Sequence, residues 1–271
     1  MNLMDRADVM FGCRLWVCDN VLDKNQQYIR SVQLLRDQVL RFDTYPFCLP
    51  VIYDLHDLEI HPRVTFIVGE NGTGKSTLLE AIAVAWGFNA EGGTANFTFT
   101  TQVSHSELNE YIRLVKGTKR PRDGFFLRAE SFYNLATNIE QLDSGGGLGN
   151  NIIGSYGGKS LHQMSHGESF FAVFQNRLGG NGLYILDEPE AALSPVRQMA
   201  LLTRIHELVQ QNSQLIIATH SPIIMAYPDS MIIQLTQSGL RQTDYEQTEH
   251  YLIMKEFANN RDKMLKILLE E

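Results

Sequence analysis

The run Gly69-Glu70-Asn71-Gly72-Thr73-Gly74-Lys75-Ser76 constrains this chain more than any other stretch, because it has the spacing of a loop that wraps phosphate. Glycines at these intervals let successive backbone N–H groups turn inward around an anion. A helix starting directly afterwards adds the positive end of its dipole. Both flanks suit that role. Val64-Thr65-Phe66-Ile67-Val68 is the apolar, β-branched run of a buried parallel strand. From Thr77 to Trp86 the apolar residues Leu78, Leu79, Ile82, Ala83 and Trp86 recur at the spacing of one helix face. In such a loop Lys75 reaches β- and γ-phosphates and the Ser76 hydroxyl holds Mg²⁺. The expected nucleotide-contacting set is Gly69, Glu70, Asn71, Gly72, Thr73, Gly74, Lys75, Ser76 and Thr77, with ATP and Mg²⁺ as ligands.

The rest of the composition narrows the class. With 271 residues, 44% hydrophobic and 20% charged, the chain has the make-up of a soluble globular protein with a sizeable core. No apolar stretch approaches the roughly 20 residues that cross a bilayer. Val9 to Cys18 is apolar, but Arg14 interrupts it and no small-residue cleavage site follows, so no signal peptide is expected. Cys13, Cys18 and Cys48 form no CxxC pair, which suits free thiols in a reducing cytoplasm. A net charge of −8 argues against a surface devoted to non-specific nucleic-acid binding. The basic run Lys116-Gly117-Thr118-Lys119-Arg120-Pro121-Arg122 reads as a solvated hairpin tip, with a local phosphate-binding patch as the alternative.

Along the chain, residues 1–26 read as an N-terminal extension and 27–271 as one domain. Tyr28 to Leu34 alternates like a strand, and turn signals at Tyr45-Pro46, Leu49-Pro50 and His61-Pro62 break Phe42 to Ile60 into short strands. Asn96 to Val103 reads as a further strand. Tyr111 to Val115 and Phe125 to Arg128 flank the basic tip as an expected hairpin, and Ser131 to Leu142 as a helix. Gly-rich sequence follows from Ser144 to Gly158. Its Gly157-Gly158-Lys159-Ser160 is rejected as a second phosphate loop, because Ile153 stands at the first glycine. Beyond Ser165 the pattern alternates, with helices over 166–178, 195–211 and 222–226, one or two amphipathic helices over 246–269, and strands over 183–186, 215–218 and 230–235.

Two of those later strands end in chemistry. Leu183-Tyr184-Ile185-Leu186 delivers Asp187 and Glu188 to the carboxyl edge of the sheet, where open α/β sheets bind ligands. Strand residues alternate faces, so the two carboxylates point differently. Asp187 suits the magnesium shell, and Glu188 suits the water that attacks the γ-phosphate. Leu215-Ile216-Ile217-Ala218 brings His220 to the same edge, where a neutral imidazole can bond the γ-phosphate or that water. Ser165-His166-Gly167-Glu168 has capping-box spacing at the start of a helix.

Taken in order, Gly69–Ser76, Ser165–Ser169, Leu183–Glu188, Ala191–Ser194 and His220 resemble the motifs of the ATP-binding-cassette (ABC) ATPases. The wording is most similar to compact stand-alone heads related to chromosome-maintenance and recombination ATPases. The resemblance implies a P-loop NTPase fold of the ABC-ATPase head type. That fold has a mostly parallel core sheet flanked by helices, an antiparallel β subdomain, and a signature region over about 104–180. It also implies a head-to-tail homodimer in which Ser165, Gly167 and Glu168 of one subunit meet the γ-phosphate held by the other. Three departures stand out. His166 replaces a signature glycine, Ser194 stands where many relatives carry aspartate, and no clear glutamine-loop glutamine follows the phosphate loop. Glu130 is the expected substitute at the metal, with Gln102 second. The segment from Trp86 to Met164 is too short for a long coiled coil, which makes the chain a bare head.

The leading expectation is a cytoplasmic Mg-dependent ATPase driving a separate effector in DNA metabolism or defence, with nucleic acid a possible partner and no membrane. The alternatives are the nucleotide-binding subunit of a membrane transporter and a P-loop phosphotransferase.

Overall fold

The computed structural model describes residues 27–94, 106–132, 136–137 and 166–269. The extension 1–26, Cys13, Cys18, the strand over Asn96–Val103, Gln102, the Gly-rich stretch and Ser165 lie outside the described residues, as does most of the helix over Ser131–Leu142.

Six strands form the central sheet: β3 (Val64–Gly69), β5 (Asp123–Arg128), β6 (Gly182–Asp187), β7 (Gln214–Ala218), β8 (Met231–Thr236) and β9 (Gly239–Thr243). Their order is β5-β6-β7-β3-β8-β9, parallel throughout except for the edge strand β9. Every residue of β3, β6 and β7 is buried, as expected of parallel strands covered on both faces. The strand period of two then divides the core. Val64, Phe66 and Val68 face Phe170, Val173 and Phe174 of α3 (His166–Asn176) and Leu201, Ile205 and Leu208 of α4 (Pro195–Gln210). On the opposite face Ile67 joins Leu78, Leu79 and Ile82 of α2 (Lys75–Trp86).

That second core also holds the antiparallel sheet, ordered β2-β1-β4 from β1 (Ile29–Leu34), β2 (Asp57–Glu59) and β4 (Ile112–Lys116). A buried polar clamp ties the sheets together. Gln214 Oε1 accepts from the backbone N–H of Tyr28 and Ile29 at 3.0 and 2.9 Å, and its Nε2 donates to the carbonyls of Ile29 and His61 at 2.8 and 2.9 Å. A side chain amide with every donor and acceptor used loses little by burial.

Two expectations need correction. β4 and β5 are not a hairpin: β4 pairs antiparallel with β1, whereas β5 pairs parallel with β6 in the central sheet. The reason is visible in burial. Phe125, Phe126 and Leu127 are all 0% exposed, so β5 needs cover on both faces, which a hairpin at the rim cannot supply. Between Phe42 and Ile60 stand a short helix, α1 (Pro50–Tyr53), and the strand β2. Pro50 sits at the start of α1, where its fixed φ and missing N–H cost nothing. The edge strand β9, polar and opened by a glycine, lacked the alternation that would have marked it. After the one-turn helix α5 (Pro222–Met225), the C-terminal region divides into α6 (Glu249–Asn259) and α7 (Arg261–Leu269), neither of which buries a residue. Among the described residues no helix is long and apolar enough to cross a membrane.

Candidate functional site

The phosphate loop leaves β3 at the carboxyl edge of the sheet, with β7 on one side and β8 on the other. Gly69 runs so close to β8 that a Cβ there would lie 2.7 Å from the Leu235 carbonyl oxygen. Gly74 has φ of 98° and precedes α2 without any side-chain cap, so the first-turn N–H groups of that helix remain available to an anion. Lys75 is 4% exposed, and its Nζ donates to the carbonyls of Gly69 and Glu70 at 2.9 and 2.8 Å. Burial lowers its pKa, while Glu188, Asp187 and Glu190 act in the opposite sense. Those backbone bonds hold the ammonium at the centre of the loop, where β- and γ-phosphates would lie.

Ser76 and Asp187 meet directly, Ser76 Oγ donating to Asp187 Oδ1 at 3.2 Å. Asp187 is 3% exposed, and burial pushes its carboxyl up to about 7. The Ser76 bond and Arg128, its register partner on β5, oppose that rise, whereas Glu188 and Glu130 add to it. A buried hydroxyl–carboxylate pair beside a phosphate loop is a donor set that fits a hard divalent cation. It also carries a prediction for the protein without metal or nucleotide. Between pH about 4 and about 7 the unfolded chain has Asp187 ionised while the fold keeps it protonated. Stability should therefore fall as pH rises through that window, by on the order of 4 kcal/mol in all. Urea midpoints against pH check this, with Asp187→Asn expected to flatten the slope; an equally steep slope in that variant would locate its origin elsewhere.

Glu188 adopts a left-handed backbone, φ 53°, unusual for a residue with a side chain. That turn swings it away from Asp187 and toward His220, whose Nε2 lies 3.6 Å from Glu188 Oε1. The His220 loop is fastened by a residue that sequence reasoning missed. Glu190, just beyond the strand end, accepts from the backbone N–H of His220 at 2.5 Å and of Ser221 at 3.2 Å through one oxygen. Burial raises its pKa, and the His220 N–H and the Thr219 hydroxyl counter the rise. Tyr45 was missed too. It is 62% exposed as a residue, and its hydroxyl lies 3.1 Å from Thr77 Oγ1, beside the first turn of α2. The only sequence signal for either was proximity to a motif or an aromatic upstream of one.

The loop Gly69–Thr77, Asp187, Glu188 and His220 therefore converge at one edge of the sheet. Glu130 lies near enough to raise the Asp187 pKa, but its side chain is 76% exposed and paired with Arg128 at 3.3 Å. Gly167 and Glu168 lie elsewhere, at the start of α3 against the turn that precedes α4. A Cβ on Gly167 would stand 2.6 Å from the Ala192 carbonyl oxygen, and Glu168 Oε1 is 3.8 Å from Arg197.

Fold and site together define an α/β domain whose glycine-rich loop and carboxyl-edge side chains form the setting of a P-loop nucleotide site. A family model described as an AAA domain, AAA_23, matches residues 27–263, and the chain belongs to that family. An uncharacterized ABC transporter ATP-binding protein of Haemophilus influenzae is 33% identical over 99 residues, which are 36% of this chain and 36% of that one. The chain thus matches about a third of that relative's length. Among solved structures, cbiO1 of Clostridium perfringens, part of the ABC transporter complex cbiONQ, is 19% identical with a TM-score of 0.47 over 90% of this chain and 100% of its own. The SMC head domain of Thermotoga maritima is 17% identical with a TM-score of 0.36 over 69% of this chain and 92% of its own.

Proposed function

We propose that residues 27–271 are one ATPase domain that hydrolyses ATP to ADP and phosphate with Mg²⁺ at composite sites of a head-to-tail homodimer. The observation that carries this reading is the 3.2 Å bond between Ser76 and Asp187, residues 111 positions apart, with Glu188 and His220 directly beside it. A phosphotransferase needs the loop but not that second pair. Mg²⁺ held by Ser76 and Asp187 would draw charge from the β- and γ-phosphates. Lys75 and the α2 N-terminus hold the same phosphates. Glu188 takes a proton from the attacking water, whose oxygen bonds to γ-phosphorus as the bond to the ADP oxygen breaks. His220 Nε2 faces the place where Glu188 and the γ-phosphate meet. The exposed ring of Tyr45 offers the base a stacking face. Signature residues Ser165, Gly167 and Glu168 are assigned to the partner's γ-phosphate.

Phosphate release from ATP by the wild-type protein, stopped by EDTA and restored by Mg²⁺, tests this reading; no release under any metal would end it. Glu130→Ala should cut turnover about tenfold or more while calorimetric ATP affinity stays within about twofold, as for a group that acts on the reacting water or its metal. Full turnover in that variant would remove Glu130 from the site.

A separate effector in DNA metabolism or defence is the pathway we favour, supported by the resemblance of the motif wording to chromosome-maintenance heads. Lys119, Arg120 and Arg122 line an open pocket of about 390 Å³ with Tyr28, Asn181 and Asn212, a surface that suits a phosphate backbone. The Haemophilus relative favours the second reading, the nucleotide-binding subunit of a transporter. Recovering partners from cells with and without ATP separates the two, since a membrane-spanning partner supports the second alone.

A further inference from the structure

The C-terminal helix α6 reaches back to the catalytic edge. His250, in its first turn, places Nε2 3.0 Å from Nδ1 of His220, with the ring centroids 5.2 Å apart. His220 and His250 also line one open pocket of about 610 Å³ with Glu70 and Asn71 of the phosphate loop. The other ring nitrogen of His220, Nε2, is buried, has no hydrogen-bond partner among the described residues, and is 3.6 Å from Glu188. Two tautomers satisfy the His–His bond. If His220 donates from Nδ1, its Nε2 turns a lone pair toward a carboxylate and a phosphate site, which is repulsive. If His250 donates, His220 Nδ1 accepts and Nε2 carries the proton toward those anions.

We propose that His250 is a positioning residue that holds His220 in the Nε2–H tautomer, aiming a hydrogen-bond donor at Glu188 and the γ-phosphate. This rests on the ATPase reading for its consequence but not for its geometry. The bond fixes both which nitrogen bears the proton and how the ring is turned, as outer partners of metal-bound histidines do. His250 touches neither the loop glycines nor the carboxylates in any bond of the structure, so its removal should leave nucleotide binding largely intact. It also makes α6 a catalytic support, although no residue of that helix is buried.

Two measurements on the full chain test this. Imidazole nitrogen NMR at pH 8, without nucleotide, should show His220 as the Nε2–H tautomer in the wild type and in His250→Gln, whose side-chain amide can still donate to Nδ1. His250→Leu should show mixed tautomers. Steady-state kinetics should give about tenfold or greater loss of kcat in His250→Leu with KM for ATP within about twofold, and recovery of at least half of kcat in His250→Gln, by analogy with outer-partner losses of 10- to 100-fold. An Nδ1–H tautomer in the wild type overturns the proposal. So does an unchanged His220 tautomer or an unchanged kcat in His250→Leu. A wild type that hydrolyses no ATP defeats the ATPase reading instead, and the NMR arm still decides the role of His250.

Discussion

Lys75→Ala is expected to weaken ATP binding about a hundred- to twenty-thousandfold, the loss of two charge-assisted hydrogen bonds of roughly 1.5–3 kcal/mol each. The surroundings argue for the upper part of that range. Asp187, Glu188 and Glu190 all act on Lys75, so removing the ammonium leaves their charge facing the incoming phosphates. The substitution also strips the carbonyls of Gly69 and Glu70 of a buried donor, which lowers stability in its own right. Lys75→Met keeps the buried stem and separates the two effects. Titration calorimetry on folded protein is the deciding measurement. Wild-type affinity in both variants would show that the loop is a structural turn.

Glu188→Gln should lower turnover by about a hundredfold or more while ATP still binds, because an amide of the same shape cannot take a proton from water. If the site is completed by a partner, blocking that step should also trap the assembly. The variant is expected to elute as a dimer with ATP and Mg²⁺ and as a smaller species without nucleotide. Adding Ser165→Arg should dissolve the dimer by placing a bulky side chain where the partner's γ-phosphate approaches. Gly167 is a poorer choice, since even a Cβ there collides with the Ala192 carbonyl within the same chain. The capping-box spacing of the sequence also makes Ser165 a candidate helix cap worth about 1 kcal/mol, so circular dichroism must confirm the fold of Ser165→Arg. A Glu188→Gln protein that stays monomeric at saturating ATP would favour a one-subunit phosphotransferase.

Much of the site was legible in the linear order of residues. The glycine-rich loop and His220 each follow an apolar strand of five or six residues, Asp187 ends one, and such strands announce themselves by unbroken apolar runs. Glu188 was legible as chemistry but not as geometry. Its left-handed backbone, which sends it to His220 rather than along the strand, has no sequence signature. Tyr45, Glu190 and His250 were illegible for a different reason. Each is brought to the site by contacts with residues 30 or more positions away, and nothing in the spacing of a pattern encodes such partners.

The hairpin expected around the basic tip shows the same boundary. Sequence proximity favoured pairing Tyr111–Val115 with Phe125–Arg128, and the two runs do form strands. Which sheet each joins was settled by a competition for burial. A strand with three consecutive apolar residues at its centre gains most between two covered faces beside β6, and a partly polar one gains enough at the rim against β1. Sequence alone therefore determined the local elements, the glycine-rich loop after β3 and the residue types at the carboxyl edge, since these depend on propensities and periods within a few residues. Tertiary structure alone decided strand order, the sheet assignment of β4 and β5, the contact of Ser76 with Asp187 and the approach of His250 to His220. Those depend on packing energies summed over the whole core, which no single segment carries.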